Sequence, residues 1–272
     1  MAGILFLSCE KPATIPSYVK IESIELDTEL GEGTDSHKIT EAWITVNGNP
    51  KGAYELPAEF PILEEGEVDL IVKPGIRLNG ISTTRLPYPL FTERTYNLNL
   101  YPDSSIELSP RVKYTDATVF EWMEPFEDPG FSLEASNKSD TTFTLISDPN
   151  HVFEGNNSVA FFMDEDHSFF EGISTEAFEL PTVGDRRIFL EMNYKCDHPF
   201  TVGIFANEPQ SVSQESILLL NEKEEWNKIY INLGPNVFFH PNALNFKIFF
   251  GAVLTESDSA AIYLDNIKLV YR

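Results

Sequence analysis

The sequence predicts an all-β protein built as two antiparallel sandwich modules, and three observations carry that expectation. At 272 residues the chain exceeds what one hydrophobic core usually serves. From Ser17 onward it is cut into short segments that alternate apolar and polar residues with period two, the spacing of a strand with one face buried. Between them stand Gly, Asn and Pro clusters able to supply the positive φ angles and fixed bends of tight turns.

The first sixteen residues stand apart from this pattern. Ala2 to Ser8 read AGILFLS, an apolar stretch ending in a small residue before Cys9, and the polar, proline-bearing CEKPATIPS follows. The stretch resembles the end of a bacterial lipoprotein signal peptide, in which cleavage before a cysteine leaves a diacylated thiol as the new amino-terminal anchor. That resemblance implies lipidation at Cys9, attachment to the bilayer through the acylated cysteine, and an outer-membrane, cell-surface address. The alternative makes AGILFLS an ordinary first strand. Residues 1–16 are therefore taken as signal remnant and linker. The other cysteine, Cys196, sits in a strand-like segment as a small hydrophobe.

Residues 17–112 form the first module. Its strand segments are YVKIESIEL, KITEAWITV, EVDLIVKPGI, RTYNLNLYP and SIELSPRVKY, with turns expected at Asn47-Gly48-Asn49-Pro50, Glu65-Gly66, Pro74-Gly75 and Asn79-Gly80. LPYPLF, Leu86 to Phe91, reads as a rigid crossover, or as a recognition loop displaying Tyr88. The run AWITVNGNPKGAYELPAEFPIL resembles the immunoglobulin-like stem domains of surface lipoproteins, which position other parts and perform no chemistry.

Residues 113–272 form the second module. EGNN suits a tight turn between strands. EEWNKIYINL alternates Trp226, Lys228, Tyr230 and Asn232 against Ile229, Ile231 and Leu233, so one face is expected in the core. AIYLDNIKLVY breaks phase at Asp265-Asn266, the mark of a bulge or of a bend that aims a carboxylate sideways. Together with FEDPG, HVFEGNNSVAFF and the order of the four segments, these resemble the jelly-roll, galactose-binding-like domains common among carbohydrate-binding modules. The resemblance implies a structural calcium held by Glu127 or Asp128, Gly155 or Asn156, and Asp265, because calcium asks for six to eight oxygens that distant segments must bring together. The competing reading has Glu127 and Asp128 cap a turn while Asp265 bonds backbone amides.

Sugar binding requires aromatic faces beside amides and carboxylates. The candidates are Trp122, Phe169, Phe170, Phe238, Phe239 and His240, with at most one ring of each Phe pair exposed and with Trp43 and Trp226 expected in the core. Asp164-Glu165-Asp166-His167 reads as a solvated loop, and Cys196-Asp197-His198-Pro199 as a turn. The chain carries no GxSxG, HExxH, P-loop or GxGxxG signature, and 43 acidic residues make chance carboxylate pairs common, so no catalytic residue is assigned and the protein is not expected to be an enzyme. A net charge of −24 repels phosphate backbones and excludes nucleic acid as partner. The chain thus resembles Bacteroidota-type surface lipoproteins. The expected role is a non-catalytic accessory subunit with an envelope protein partner. Glycan binding is the alternative, and a hydrolase the remote one.

Overall fold

The computed structural model describes residues 15–184, 187–255 and 258–272, so Cys9 and the apolar run before it lie outside the described residues. The first module contributes β1 (Ser17–Ile21), β2 (Glu25–Leu26), β3 (Glu41–Val46), β4 (Asn49–Glu55) and β5 (Ala58–Ile62). It continues with β6 (Gly66–Arg77), β7 (Arg85–Pro87), β8 (Arg94–Leu100), β9 (Ser105–Leu108) and β10 (Arg111–Val112). One sheet runs β4-β3-β6 with β7 and β8 both on the free edge of β6; the other runs β5-β1-β9. The alternation read in the sequence is the burial pattern: Val68, Leu70 and Val72 of β6 face inward against Val19, Ile21 and Phe60 of the second sheet.

Most pairs in this module are antiparallel; β1 with β9 and β2 with β10 run parallel, the entering and leaving ends of the module lying side by side. One expectation is corrected. Pro74-Gly75 is no turn but lies inside the long β6, and Gly75 is required there because a Cβ would stand 2.7 Å from the indole nitrogen of Trp43 on the neighbouring strand. Asn47-Gly48 and Asn79-Gly80 are turns as read, all four residues taking positive φ.

The second module contributes β11 (Val119–Glu124), β12 (Leu133–Ala135), β13 (Phe143–Ile146), β14 (Ser158–Asp164), β15 (Phe169–Ser174) and β16 (Ile188–Cys196). There follow β17 (Phe200–Glu208), β18 (Ser211–Leu220), β19 (Lys223–Asn232), the short helix α1 (Gly234–Phe239), β20 (Asn245–Val253) and β21 (Ser259–Tyr271). A six-stranded sheet runs β13-β14-β21-β16-β19 with β11 also on β21, and a five-stranded sheet runs β12-β15-β20-β17-β18. Strands β14, β15, β16 and β17 alternate between the two sheets, as do β19, β20 and β21, which is the winding of a jelly roll. Between the sheets Phe161 of β14 stacks on Phe170 of β15 at 3.7 Å, and each fully buried ring of this kind contributes about 1.5–3 kcal/mol. The phase break in the last strand is a bulge, with Asn266 at φ +47° opposite a register shift in β16.

The first module lies on the outer face of the six-stranded sheet. Phe189, Tyr230 and Val270 leave their own module's core and join that of the first. Both faces of β19 are therefore buried, Ile229, Ile231 and Leu233 on one side and Tyr230 on the other, where the sequence predicts only one. Tyr88 is not displayed. It is buried in this interface and donates its hydroxyl hydrogen to Glu191 Oε1 at 2.6 Å, while Tyr114 donates to Oε2 at 2.9 Å. The buried Glu191 is thus satisfied by Tyr88 of the first module and by Tyr114 just past the boundary, and desolvation with that carboxylate alongside holds both phenols well above their usual pKa. Lys268 Nζ donates to the Thr34 carbonyl at 2.6 Å, and Asn79 Oδ1 accepts the Asn232 amide at 2.8 Å.

Candidate functional site

The five-stranded sheet has one face on the core and the other toward solvent, and on that outer face lies an open groove of about 530 Å³. The alternation of its strands sets the lining: Phe250 and Ala252 of β20 point inward, so Phe249, Gly251 and Val253 point out. Glycine shapes the floor. A Cβ on Gly203 would meet the Glu215 carbonyl oxygen at 2.2 Å and the Phe249 ring at 2.3 Å, so the ring lies over a position that only glycine tolerates. Phe205 stands 5.3 Å from the same ring.

Polar groups converge over this floor. Gln214 Nε2 donates to Glu171 Oε2 at 2.9 Å, although β20 and β17 separate their strands. Adjacent strands lie about 4.8 Å apart, so the two side chains reach each other only over a concave sheet with little standing between them. Lys138 Nζ lies 3.5 Å from Glu171 Oε1, and His198 Nε2 lies 3.1 Å from the Val253 carbonyl at the groove's end. An apolar ring beside a carboxylate, an amide, an ammonium and an imidazole is the chemistry that engages one face of a pyranose and its hydroxyls.

Of the six side chains read as ligand-binding candidates, the structure brings Phe169 and Phe170 to this groove, and of these only Phe169 is partly exposed. Trp122 is buried in the core, stacked on Phe178 at 5.4 Å with its indole N–H donated to Ser132 Oγ. Trp43 and Trp226, expected inside, are the half-buried ones. In FFHPN the paired rings end α1 and Pro241-Asn242 form the turn after them, closed by the Ala243 amide on the His240 carbonyl; Phe238 packs on the core and Phe239 is 77% exposed away from the groove. His240 is buried, its ring nitrogens 3.2 Å from Glu208 Oε1 and 3.3 Å from Glu215 Oε1.

The residues read as calcium ligands meet around one loop. Glu127 Oε1 accepts the backbone N–H of Asn156 and Asn157, and Oε2 accepts the Asn156 side-chain amide. Gly155 passes so close that a Cβ would sit 2.4 Å from Glu127 Oε1. From the other side Asp265 Oδ2 accepts Ser158 Oγ–H at 2.5 Å and the Glu154 amide at 3.3 Å, while Oδ1 accepts the Asn266 amide. Burial pushes the Asp265 carboxyl up to about 6 against those hydrogen bonds. Asp128 is exposed. The oxygens of both carboxylates are engaged by hydrogens, and among the described residues no group of three His, Cys, Asp or Glu side chains is placed to hold a metal. As it stands, the arrangement clasps the loop between the two carboxylates.

The other two polar segments match their reading. Asp164 accepts the Asp166 and His167 amides in a surface turn, and Cys196 is a buried thiol raised to about 11 by desolvation.

No family model and no curated protein matches the chain. Similar solved structures include a carbohydrate-binding module of the β-sandwich superfamily, 14% identical over 88% of this chain and 86% of that one, TM-score 0.37. A family 22 xylan-binding domain is 10% identical over 58% and 97%, TM-score 0.39. A family 11 module from Clostridium thermocellum, in complex with a mixed-linked tetrasaccharide, is 11% identical over 54% and 94%, TM-score 0.37. Similarity this low bears no weight for the ligand, and the groove's own geometry stands alone.

Sequence reasoning missed Glu171, Gln214 and Phe249. A signal existed: FFEGIS puts Phe169 and Glu171 on one face, and Gly203 and Gly251 fall at outward positions of their strands.

Proposed function

We propose that the protein is a non-catalytic carbohydrate-binding protein whose ligand lies in the groove over β15, β20, β17 and β18. The observation that carries this reading is the open groove itself, where the accessible apolar side chains Phe169, Leu219 and Val253 stand beside Lys138, Gln214 and His198 over the packed floor of Phe249 on Gly203. A chain of net charge −24 repels polyanions, which favours a neutral glycan. Affinity electrophoresis against soluble neutral β-glucans, xylans and galactans tests the proposal. At least one is expected to retard the folded protein, and Gln214→Ala, at an exposed position, is expected to weaken that binding about tenfold, or about 1.4 kcal/mol. A folded protein that no glycan of the panel retards would overturn it.

In the same reading Cys9 carries the lipid anchor and the protein serves at an outer-membrane surface beside an envelope partner; the support is the AGILFLS-Cys9 sequence. Incorporation of labelled fatty acid, lost in Cys9→Ala, is the expected result.

A further inference from the structure

On the opposite side of the second module, where the first module meets it, lies a small cavity of about 160 Å³ whose lining is cationic. Lys38 and Arg77 come from the first module and Lys223 and Lys228 from the second; among the described residues no carboxylate lines it, the nearest being Glu41 and Glu55, which pair with Arg77 at its edge. Only 19 of the residues in the chain are Lys or Arg against 43 acidic ones, so four cations on one small cavity run against the composition. One cation there is idle: Lys228 Nζ, with a side chain 2% exposed, makes no hydrogen bond and stands 3.8 Å from Glu191 Oε2. Arg77 is engaged at the cavity's edge, Nη2 donating to Glu55 Oε1 at 2.5 Å and Nε lying 3.5 Å from Glu41 Oε1, and Lys38 Nζ donates to Asn227 Oδ1. Burying an ammonium without a hydrogen bond costs several kcal/mol, and an anion in the cavity would remove that cost. Lys38 feels the same crowding, since desolvation and the charges of Lys223 and Arg77 hold its pKa down.

We propose that this cavity binds one small oxyanion, a phosphate or sulfate group, between the two modules. The idle Lys228 ammonium forms its floor, Arg77 its first-module wall and Lys223 its solvent side, and Thr40 and Asn227 add polar groups to the wall. Tetrahedral oxyanions match ammonium and guanidinium donors that converge from several directions.

Isothermal titration of the full chain with inorganic phosphate, at ionic strength held constant with potassium chloride, tests the site. One phosphate per chain is expected to bind, with a melting temperature that rises with phosphate beyond the chloride control. Lys223→Gln, on an exposed residue that leaves the fold intact, and Lys228→Met are each expected to weaken binding about tenfold. Glucose 6-phosphate is titrated alongside: equal binding identifies a phosphate carried on a larger molecule, and binding of the free ion alone identifies phosphate itself. Phosphate that stabilises no more than chloride overturns the proposal, as does unchanged binding by a folded Lys223→Gln protein.

Discussion

At the scale of single residues, buried charge decides most of what can be tested. Lys228 is held down to about 8 by burial, with Glu191 opposing the shift. Its folded pKa lies below the unfolded value, so between about pH 8 and 10.5 the unfolded chain binds more protons and this residue's contribution to stability rises with pH. Urea unfolding of the parent and of Lys228→Met is expected to show the parent gaining up to roughly 3 kcal/mol relative to the variant across that window. Asp265 behaves in the other sense. Its folded pKa of about 6 exceeds the ordinary 3.8, so its contribution is complete below about pH 4 and is lost as pH rises through 6. The stability difference between parent and Asp265→Asn is therefore expected to shrink from pH 4 to pH 7, and a difference that grows over that range would contradict the burial described.

At the scale of elements, packing against a neighbour sets residue choice more than propensity does. Gly203 lies in a strand interior, where glycine is ordinarily unfavourable, because the β18 backbone and the Phe249 ring occupy the space of a side chain. Gly203→Val is expected to cost more than about 2 kcal/mol and to abolish glycan retardation together with it, as read by thermal unfolding and affinity electrophoresis. The loop from Phe153 to Ser158 is held by Glu127 on one side and Asp265 on the other, hydrogen bonds that take the place expected for a cation. Added chelator is accordingly expected to leave the melting temperature unchanged, and a fall of several degrees would put a metal in the clasp.

At the scale of the whole molecule, the two modules share a core instead of meeting through a linker. Phe189, Tyr230 and Val270 of the second module are buried in the first, and Glu191 takes a hydrogen bond from Tyr88 across the boundary. Separating the modules would expose those rings to water, at about 1.5–3 kcal/mol for each fully buried side chain. Calorimetry is expected to give one endotherm for the whole chain; two resolved transitions would show that the interface adds little. The groove, on the far sheet, and the cationic cavity, at the boundary, lie on opposite faces of the second module, so ligands at the two sites do not compete for space.

Strand period, turn residues and length by themselves determine that this is an all-β chain with one sandwich following another, and they locate the bulge at Asp265-Asn266 and the turns at Asn47-Gly48 and Asn79-Gly80. These are local properties, set by backbone stereochemistry and by alternation along one strand. The tertiary structure alone decides which face of each strand remains outside. Trp122 reads as a ligand-binding residue and is buried, whereas Glu171, Gln214 and Phe249, which the sequence reading passes over, line the groove. The physical reason is that a strand's two faces become unequal only when another layer covers one of them, and the first module covers the six-stranded sheet while leaving the five-stranded sheet open.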